Sequence, residues 1–277
     1  MILIRRFALV FWVGLFSPIA TRAADDVRPV VDAAKVREEK PVEATLPTFF
    51  IVGDSTVKSA GQLGAYGWGE RVAPYFDPKK INVVNHAIGG RSSRTFFTEG
   101  RWERTLAQMK AGDFVIIQFG HNDGGRIGDP TAKGRPSGRG TGPETVEDTK
   151  RDGTKEEVHT FGWYLARYVS DAKAKGVTVI LVSPIPHKDR WETGRDFAGH
   201  AQWTEEVARA GGALYFDLTL VISASYQRIG KDKVGTFFSD RGTHTNDEGA
   251  RFNAARVIEG LQALRGNPLA AYFSAAP

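Results

Sequence analysis

Residues 49–56 read FFIVGDST, an apolar run that ends in Gly53-Asp54-Ser55. Such a run, bounded by a glycine, is typical of a strand buried in a sheet. The serine that follows would carry a hydroxyl group and a backbone N–H to the edge of that sheet, where nucleophilic chemistry can take place. A serine that caps a helix or turn explains Gly-Asp-Ser equally well. Taken alone, this stretch therefore indicates a buried strand but leaves the role of the serine open.

The same apolar pattern recurs along the chain and alternates with amphipathic stretches. The predicted strands cover residues 48–52, 81–85, 114–119, 177–182 and 213–217. The predicted helices cover residues 68–76, 102–110, 157–175, 197–210, 218–229 and 246–264. This alternation predicts an α/β fold, a three-layer α/β/α sandwich with a central, mostly parallel five-stranded sheet. Ligands of such sheets bind outside the carboxyl ends of the strands.

The N-terminal region differs in composition from the rest of the chain. Residues 1–23 combine two arginines with an apolar stretch and end in Thr-Arg-Ala, which predicts a signal peptide and export to the periplasm or the extracellular space. A membrane anchor is the alternative, but the apolar run of about 13 residues is shorter than the roughly 20 of a spanning helix. Residues 24–45 contain ten charged residues, which predicts a solvated linker, and residues 46–277 form the domain.

In one internal segment the apolar residues do not recur at the regular spacing of a helix or a strand. Residues 124–155 contain eight glycines and three prolines. Loops longer than about 15 residues in compact domains are usually functional or disordered. Because the segment starts directly after the third predicted strand, we expect a long active-site loop that forms a mobile border of the substrate groove.

The overall composition excludes several classes of protein. The chain is 41% apolar and 25% charged, as in ordinary globular proteins, and it has no cysteine. A disulfide framework, cysteine-ligated zinc and a cysteine nucleophile are therefore excluded. The formal net charge of +5 includes three arginines of the predicted signal peptide, and the remainder is too small and dispersed to indicate nucleic-acid binding.

Three further polar segments have the composition of catalytic loops: residues 85–94 (NHAIGGRSSR), 118–125 (QFGHNDGG) and 239–250 (SDRGTHTNDEGA). Paired glycines let a backbone N–H face a ligand, and the Asn122 amide can donate to a developing oxyanion. Asp240 and His244 on one loop could supply the base and the carboxylate that activate a serine. Taken singly, each segment has a simpler explanation: a tight turn at Gly89-Gly90, an Asx turn at Asn122 and a helix N-cap at Asn246.

Together with residues 49–56, these segments resemble the SGNH (GDSL-type) hydrolase superfamily, and within it the rhamnogalacturonan acetylesterase family. The resemblance extends from residue 49 to residue 253 and implies the flavodoxin-like form of the α/β/α sandwich. It implies that Ser55 is the nucleophile and His244 its general base. It also implies an oxyanion hole made by the backbone N–H groups of Ser55 and Gly90 and by the side chain of Asn122.

The sequence departs from the family pattern at the expected catalytic aspartate. The family places this residue three positions before the histidine, where this chain has Arg241. Asp240 lies four positions before His244. We expect Asp240 to be the carboxylate partner, with Gly242 taking up the extra residue as a bulge.

The resemblance implies an exported serine esterase, a carboxylic ester hydrolase that removes O-acetyl groups from a plant cell-wall polysaccharide, with pectic rhamnogalacturonan favoured. Two alternatives stay open: an esterase of other acylated sugars or small esters, and a noncatalytic polysaccharide-binding protein on the same fold. The sequence has neither histidines at metal-ligand spacing nor Gly-x-Gly-x-x-Gly after the first strand, so no metal and no cofactor are expected. The expected partner is an acetylated polysaccharide or oligosaccharide; we expect a monomer, with no nucleic acid and no membrane after signal cleavage.

Overall fold

The computed structural model describes residues 39–150 and 152–275. The strands are β1 (Thr48–Gly53), β2 (Asn82–Asn85), β3 (Phe114–Gln118), β4 (Thr145–Thr149), β5 (Lys155–His159), β6 (Thr178–Val182) and β7 (Leu214–Phe216). The helices are α1 (Ser93–Thr98), α2 (Arg101–Gln108), α3 (Phe161–Ala174), α4 (Ala198–Gly211), α5 (Leu218–Ile229), α6 (Lys231–Gly235) and α7 (Asp247–Ala263).

Five of these strands form one parallel sheet in the order β2-β1-β3-β6-β7. The chain leaves β1 toward one side of the sheet and returns to the other side at β3. This is the flavodoxin-like order, and its switch point, where ligands bind, lies between β1 and β3. The predicted fold class is confirmed.

Strand β1 explains why the molecule has three layers. Phe49 and Ile51 join the core packed under α5 and α7, whereas Phe50 and Val52 join the core under α1, α2, α3 and α4. All four side chains are fully buried. Successive side chains of a strand point to opposite faces, so a strand covered on both faces is apolar throughout.

Two predicted helices differ from the structure. Residues 68–76 form two short 3₁₀ turns, Trp68–Glu70 and Ala73–Tyr75, instead of one helix. Pro74 lies at the start of the second turn and has no backbone N–H to donate, so a continuous helix over these residues would lack a hydrogen bond there. The helix predicted from residue 157 begins at Phe161, because the Thr160 side chain accepts the backbone N–H of Trp163 as an N-cap.

The long segment at residues 124–155 also differs from the prediction, since it contains an unpredicted strand. Strand β4 pairs with β5 in an antiparallel hairpin. The buried guanidinium of Arg94 in α1 joins this hairpin to the domain by ion pairs of 2.8 Å to Asp148 and to Glu156. The distal part of the predicted loop is therefore held as a small sheet.

The predicted signal peptide, residues 1–23, lies outside the described residues, as does most of the predicted linker. The described end of that linker contacts the domain: the Glu39 carbonyl oxygen lies 2.7 Å from His86 Nε2. The remaining boundaries stay predictions. Across the described residues, no helix combines the length and the apolar character that crossing a bilayer requires.

Candidate active site

Ser55 lies in a tight turn directly after β1. A Cβ on Gly53 would come within 2.5 Å of Val57 and 2.7 Å of the Gln118 carbonyl oxygen, so only glycine allows the strand to turn here. Asp54 fixes the turn, since its Oδ1 accepts the backbone N–H and the hydroxyl of Thr56 at 2.9 and 2.7 Å. The turn presents the Ser55 side chain to a pocket at the carboxyl edge of the sheet.

Asp54 itself is fully buried and faces away from the pocket. Its Oδ2 lies 3.4 Å from Nδ1 of His121. Burial would raise the pKa of the Asp54 carboxyl, but the neighbouring His121 and the hydrogen bonds from Thr56 outweigh burial and lower that pKa. Asp54 is therefore an ionised group that supports the turn of Ser55 from behind.

His244 reaches Ser55 from the loop before α7. Its Nε2 lies 2.7 Å from Ser55 Oγ, and its Nδ1 lies 2.6 Å from Asp240 Oδ2. These are hydrogen-bond distances, and the order serine, imidazole, carboxylate is the arrangement that activates a serine hydroxyl. The structure thus brings together the three residues that the sequence resemblance selected from distant segments.

The four-residue step from Asp240 to His244 is accommodated by the aspartate side chain. Asp240 Oδ1 accepts the backbone N–H groups of Gly242, Thr243 and His244 at 3.0, 2.8 and 3.0 Å. One carboxylate oxygen therefore closes the turn while the other contacts the imidazole.

We expected Gly242 to take up the additional position, but the structure does not use the conformational freedom of a glycine there. The φ of Gly242 lies outside the left-handed region, and a Cβ on this residue would meet no atom within 4 Å. The backbone at this position has a conformation open to other residues, because side-chain hydrogen bonds of an aspartate close the turn.

The three predicted oxyanion donors come from the ends of the neighbouring strands β1, β2 and β3. Gly90 has φ +77°, a conformation that favours glycine. Within the described residues, neither its N–H nor that of Ser55 donates a backbone hydrogen bond. The Asn122 side chain donates one N–H to the Arg91 carbonyl oxygen at 3.1 Å, which leaves the second N–H of its amide for a ligand.

These groups line a pocket of about 450 Å³ that contains Ser55, Gly90, Asn122, Asp240 and His244. This volume is in the range of small-molecule sites. The wall of the pocket also includes the loop at residues 58–65 and two cations from the long segment, Lys133 and Arg135.

Sequence reasoning did not single out these two cations. Their position within the predicted active-site loop could have indicated that they border the pocket. Arg135 donates to Asn122 Oδ1 at 3.3 Å and is half-buried. Burial, together with the nearby charge of Arg91, lowers the pKa of the Arg135 guanidinium.

The remaining histidines lie outside this pocket. His86 is buried, with Nδ1 2.9 Å from the Thr105 hydroxyl, which is a structural role. His187 Nδ1 lies 2.8 Å from Asp196, and burial lowers the pKa of His200 to about 4. Within residues 39–150 and 152–275, no three histidine or acidic side chains are grouped as ligands for a metal ion.

Comparison with known proteins identifies the family of this chain. The model of the GDSL-like lipase/acylhydrolase family matches residues 51–252. A rhamnogalacturonan acetylesterase from Emericella nidulans is 35% identical over 224 residues, which cover 79% of this chain and 86% of that protein. The probable rhamnogalacturonan acetylesterase YesY from Bacillus subtilis is 31% identical over 229 residues, covering 79% and 94%.

Solved structures show the same fold. The Bacillus subtilis protein YxiM superposes with a TM-score of 0.62 at 25% identity, over 79% of this chain and 56% of that one. The acetylxylan esterase Axe2 from Geobacillus stearothermophilus has a TM-score of 0.52 at 18% identity, covering 77% and 93%, a likeness of fold alone. The resemblance inferred from the four sequence segments is confirmed, and the chain belongs to the GDSL-like lipase/acylhydrolase family.

Proposed function

We propose that this protein is a carbohydrate acetylesterase that uses Ser55, His244 and Asp240 to remove O-acetyl groups from a plant cell-wall polysaccharide, with rhamnogalacturonan as its substrate. The observation that carries the proposal is the hydrogen-bonded series from Ser55 Oγ through His244 to Asp240, at 2.7 and 2.6 Å. The acetylesterase names of the two curated relatives support the substrate class.

In the acylation step, Ser55 Oγ attacks the acetyl carbonyl carbon while His244 Nε2 takes the hydroxyl proton. The ionised Asp240 carboxylate holds the imidazole tautomer with a proton on Nδ1 and stabilises the imidazolium that forms. The carbonyl oxygen becomes negatively charged and receives hydrogen bonds from the Ser55 and Gly90 N–H groups and the Asn122 amide. The intermediate then collapses: the ester C–O bond breaks, and His244 returns its proton to the sugar oxygen.

In the deacylation step, water attacks the acetyl group on Ser55, and His244 removes a proton from that water. The second tetrahedral intermediate uses the same three donors. Its collapse releases acetate and restores the Ser55 hydroxyl with the proton held by His244. Neither step requires a group beyond these residues, the ester and water.

The test is acetate release from acetylated pectic rhamnogalacturonan, acetylated xylan and acetylated chitin oligomers, with p-nitrophenyl acetate as a small ester. We expect Ser55→Ala to abolish release from every substrate, since the covalent intermediate needs the hydroxyl. A phosphonate that reacts with activated serines should label the peptide containing Ser55. Ser170→Ala, an exposed serine on α3, is the matched control and should keep full activity.

Two results would contradict parts of the proposal. Activity retained in Ser55→Ala, with labelling elsewhere, would remove the assigned nucleophile. Faster acetate release from xylan than from rhamnogalacturonan would show that another acetylated sugar is the substrate. A correctly folded protein that binds polysaccharide but hydrolyses no ester would be a noncatalytic binding protein. Export is part of the proposal and is tested by N-terminal sequencing of the secreted protein, expected to begin near Ala24.

A further inference from the structure

The loop at residues 58–65, in the wall of the pocket, holds an apolar side chain in water. Leu63 is 73% exposed, although it lines the same pocket as Ser55 and His244. Its φ is +51°, in the left-handed region where a leucine is strained. Both the exposure and the strain are unfavourable in the free protein.

Backbone strain is concentrated at this pocket. Among the residues that the structure describes, five other than glycine have a left-handed φ, and three of them, Ala60, Leu63 and Lys133, line the pocket wall. Strain of this kind persists where the surrounding structure fixes the backbone, and it is typical of sites that bind ligands.

The loop is fixed by Glu70. The Glu70 carboxylate accepts the backbone N–H groups of Ser59, Ala60 and Gly67 at 2.9, 3.0 and 2.7 Å. One side chain thus ties the start of the loop to the segment that follows its end. Because these bonds involve the backbone, the loop keeps its shape without packing by the exposed side chain of Leu63.

The loop borders the side of the pocket where the leaving alcohol must lie. At its start, the Ser59 hydroxyl donates to the Ser55 carbonyl oxygen at 2.7 Å. Directly after its end, Tyr66 and Thr245 exchange two hydrogen bonds of 2.8 Å. The loop therefore connects the proposed nucleophile to the neighbour of His244, which returns its proton to the sugar oxygen in the proposed mechanism. The donors for the acetyl carbonyl oxygen that follow β2 and β3 belong to other segments.

We infer that Leu63 binds the leaving sugar, by packing against the C–H face of the ring whose hydroxyl group carries the acetyl ester. A pyranose ring has a face made mainly of C–H groups, and contact between this face and a leucine removes apolar surface from water. The inference rests on the proposed function and deepens it, since it selects esters of sugar rings over esters of small alcohols. Leu63 is in this view a residue that determines specificity and takes no part in bond formation.

The test compares two esters that share the acetyl group. Acetate release is measured on an acetylated rhamnogalacturonan oligosaccharide and on ethyl acetate, whose alcohol has no ring. We expect Leu63→Ser to lower the ratio of kcat/KM for the oligosaccharide to kcat/KM for ethyl acetate about tenfold, the effect of losing the burial of one leucine side chain. Leu63→Met should keep the wild-type ratio within about threefold, because methionine retains an apolar contact. An unchanged ratio in Leu63→Ser would overturn the inference.

Leu220→Ser is the matched control, because Leu220 is a leucine of α5 that is 54% exposed and lies outside the pocket wall. It should keep the wild-type ratio within about twofold, as surface substitutions away from a site usually do. A tenfold decrease in this variant as well would assign the effect to the loss of any exposed leucine and contradict the contact.

Thermal unfolding separates a substrate contact from a structural role. Leu63→Gly relieves the left-handed strain, so its unfolding midpoint should stay at or above that of the wild-type protein while the ratio of the two esters falls. A leucine that supports the fold would lose packing when it is truncated. A midpoint lowered by more than about 5 °C would therefore overturn the inference.

A binding measurement separates this inference from the proposed esterase activity. Calorimetry with the acetylated oligosaccharide uses Ser55→Ala, alone and combined with Leu63→Ser or Leu220→Ser, and needs no hydrolysis. Binding weakened about tenfold by Leu63→Ser and retained with Leu220→Ser supports the contact even if the wild-type protein releases no acetate. Equal binding with and without Leu63→Ser, or no binding by Ser55→Ala, contradicts the contact even if ester hydrolysis is confirmed.

Discussion

At the scale of single residues, Asp240 has two functions, and each of them belongs to one of its two carboxylate oxygens. Oδ1 closes a turn and Oδ2 contacts His244. Asp240→Asn keeps one oxygen to accept the turn N–H groups, but it exchanges the negative oxygen for an uncharged group. We expect kcat to fall about 10⁴-fold, the loss found when the corresponding carboxylate of a serine protease is neutralised. Measurement of kcat with circular dichroism decides this; a loss below about tenfold would make Asp240 a turn residue only.

Gly242 provides the control in the same turn. Gly242→Ala should keep kcat within about twofold, since its backbone is not left-handed and its Cβ would lie in open space. A large loss of kcat would mean that the turn needs a glycine at this position.

The site shows the limit of reasoning from sequence spacing. Ser55 and His244 were identified from their motifs, but the four-residue step from Asp240 to His244 depends on side-chain hydrogen bonds that spacing does not encode.

At the scale of secondary-structure elements, the hairpin of β4 and β5 depends on Arg94. This side chain is 1% exposed and pairs with Asp148, which is 5% exposed. Arg94→Met would leave a buried carboxylate unpaired, which typically costs about 3 to 5 kcal/mol. We expect a decrease of about 3 kcal/mol in the free energy of unfolding by urea, since Lys150 at 3.1 Å still compensates Glu156.

The matched control is Arg167→Met, which removes a surface ion pair of 3.7 Å to Asp171. It should change stability by less than about 1 kcal/mol. Equal effects of the two variants would mean that the hairpin is held by other contacts.

The hairpin also shows why this element was missed. Its strands read TVEDT and KEEVH, with one valine each, so the alternation that predicts a strand is almost absent. Asp152-Gly153 between them is a common hairpin signal that could have indicated the turn. The stability of the pair comes from a distant arginine, which a local pattern does not contain. The central strands were predictable because burial on both faces makes each of them continuously apolar.

At the scale of the whole molecule, Asp123 makes stability depend on pH. Burial raises the pKa of its carboxyl to about 7, despite hydrogen bonds from Ser93 and Ser137. In the unfolded chain an aspartate has a pKa of about 3.9. Between these two values the folded protein keeps a proton that the unfolded chain has lost, so this group's contribution to stability is present below pH 4 and declines as pH rises to 7.

Asp123→Asn should remove this decline, because an amide does not titrate. We expect the stability of the variant relative to the wild-type protein to increase steadily from pH 4 to pH 7 in urea unfolding, and to stay constant above. Asp152→Asn, at an exposed hairpin residue, should not show this increase. Parallel stability curves for Asp123→Asn and the wild-type protein would contradict the raised pKa.

The proposed nucleophile and base lie 189 residues apart in the chain, so the active site is complete only after distant segments have come together. Ser55 lies directly after β1, whereas His244 is placed only when α7 docks, through contacts such as Arg71 with Asp247 at 2.6 Å. Contacts between distant segments form late and slowly in folding. Recovered hydrolysis after dilution from urea would therefore report completion of folding, not formation of the sheet. During synthesis, too, a growing chain would stay inactive until α7 has left the ribosome.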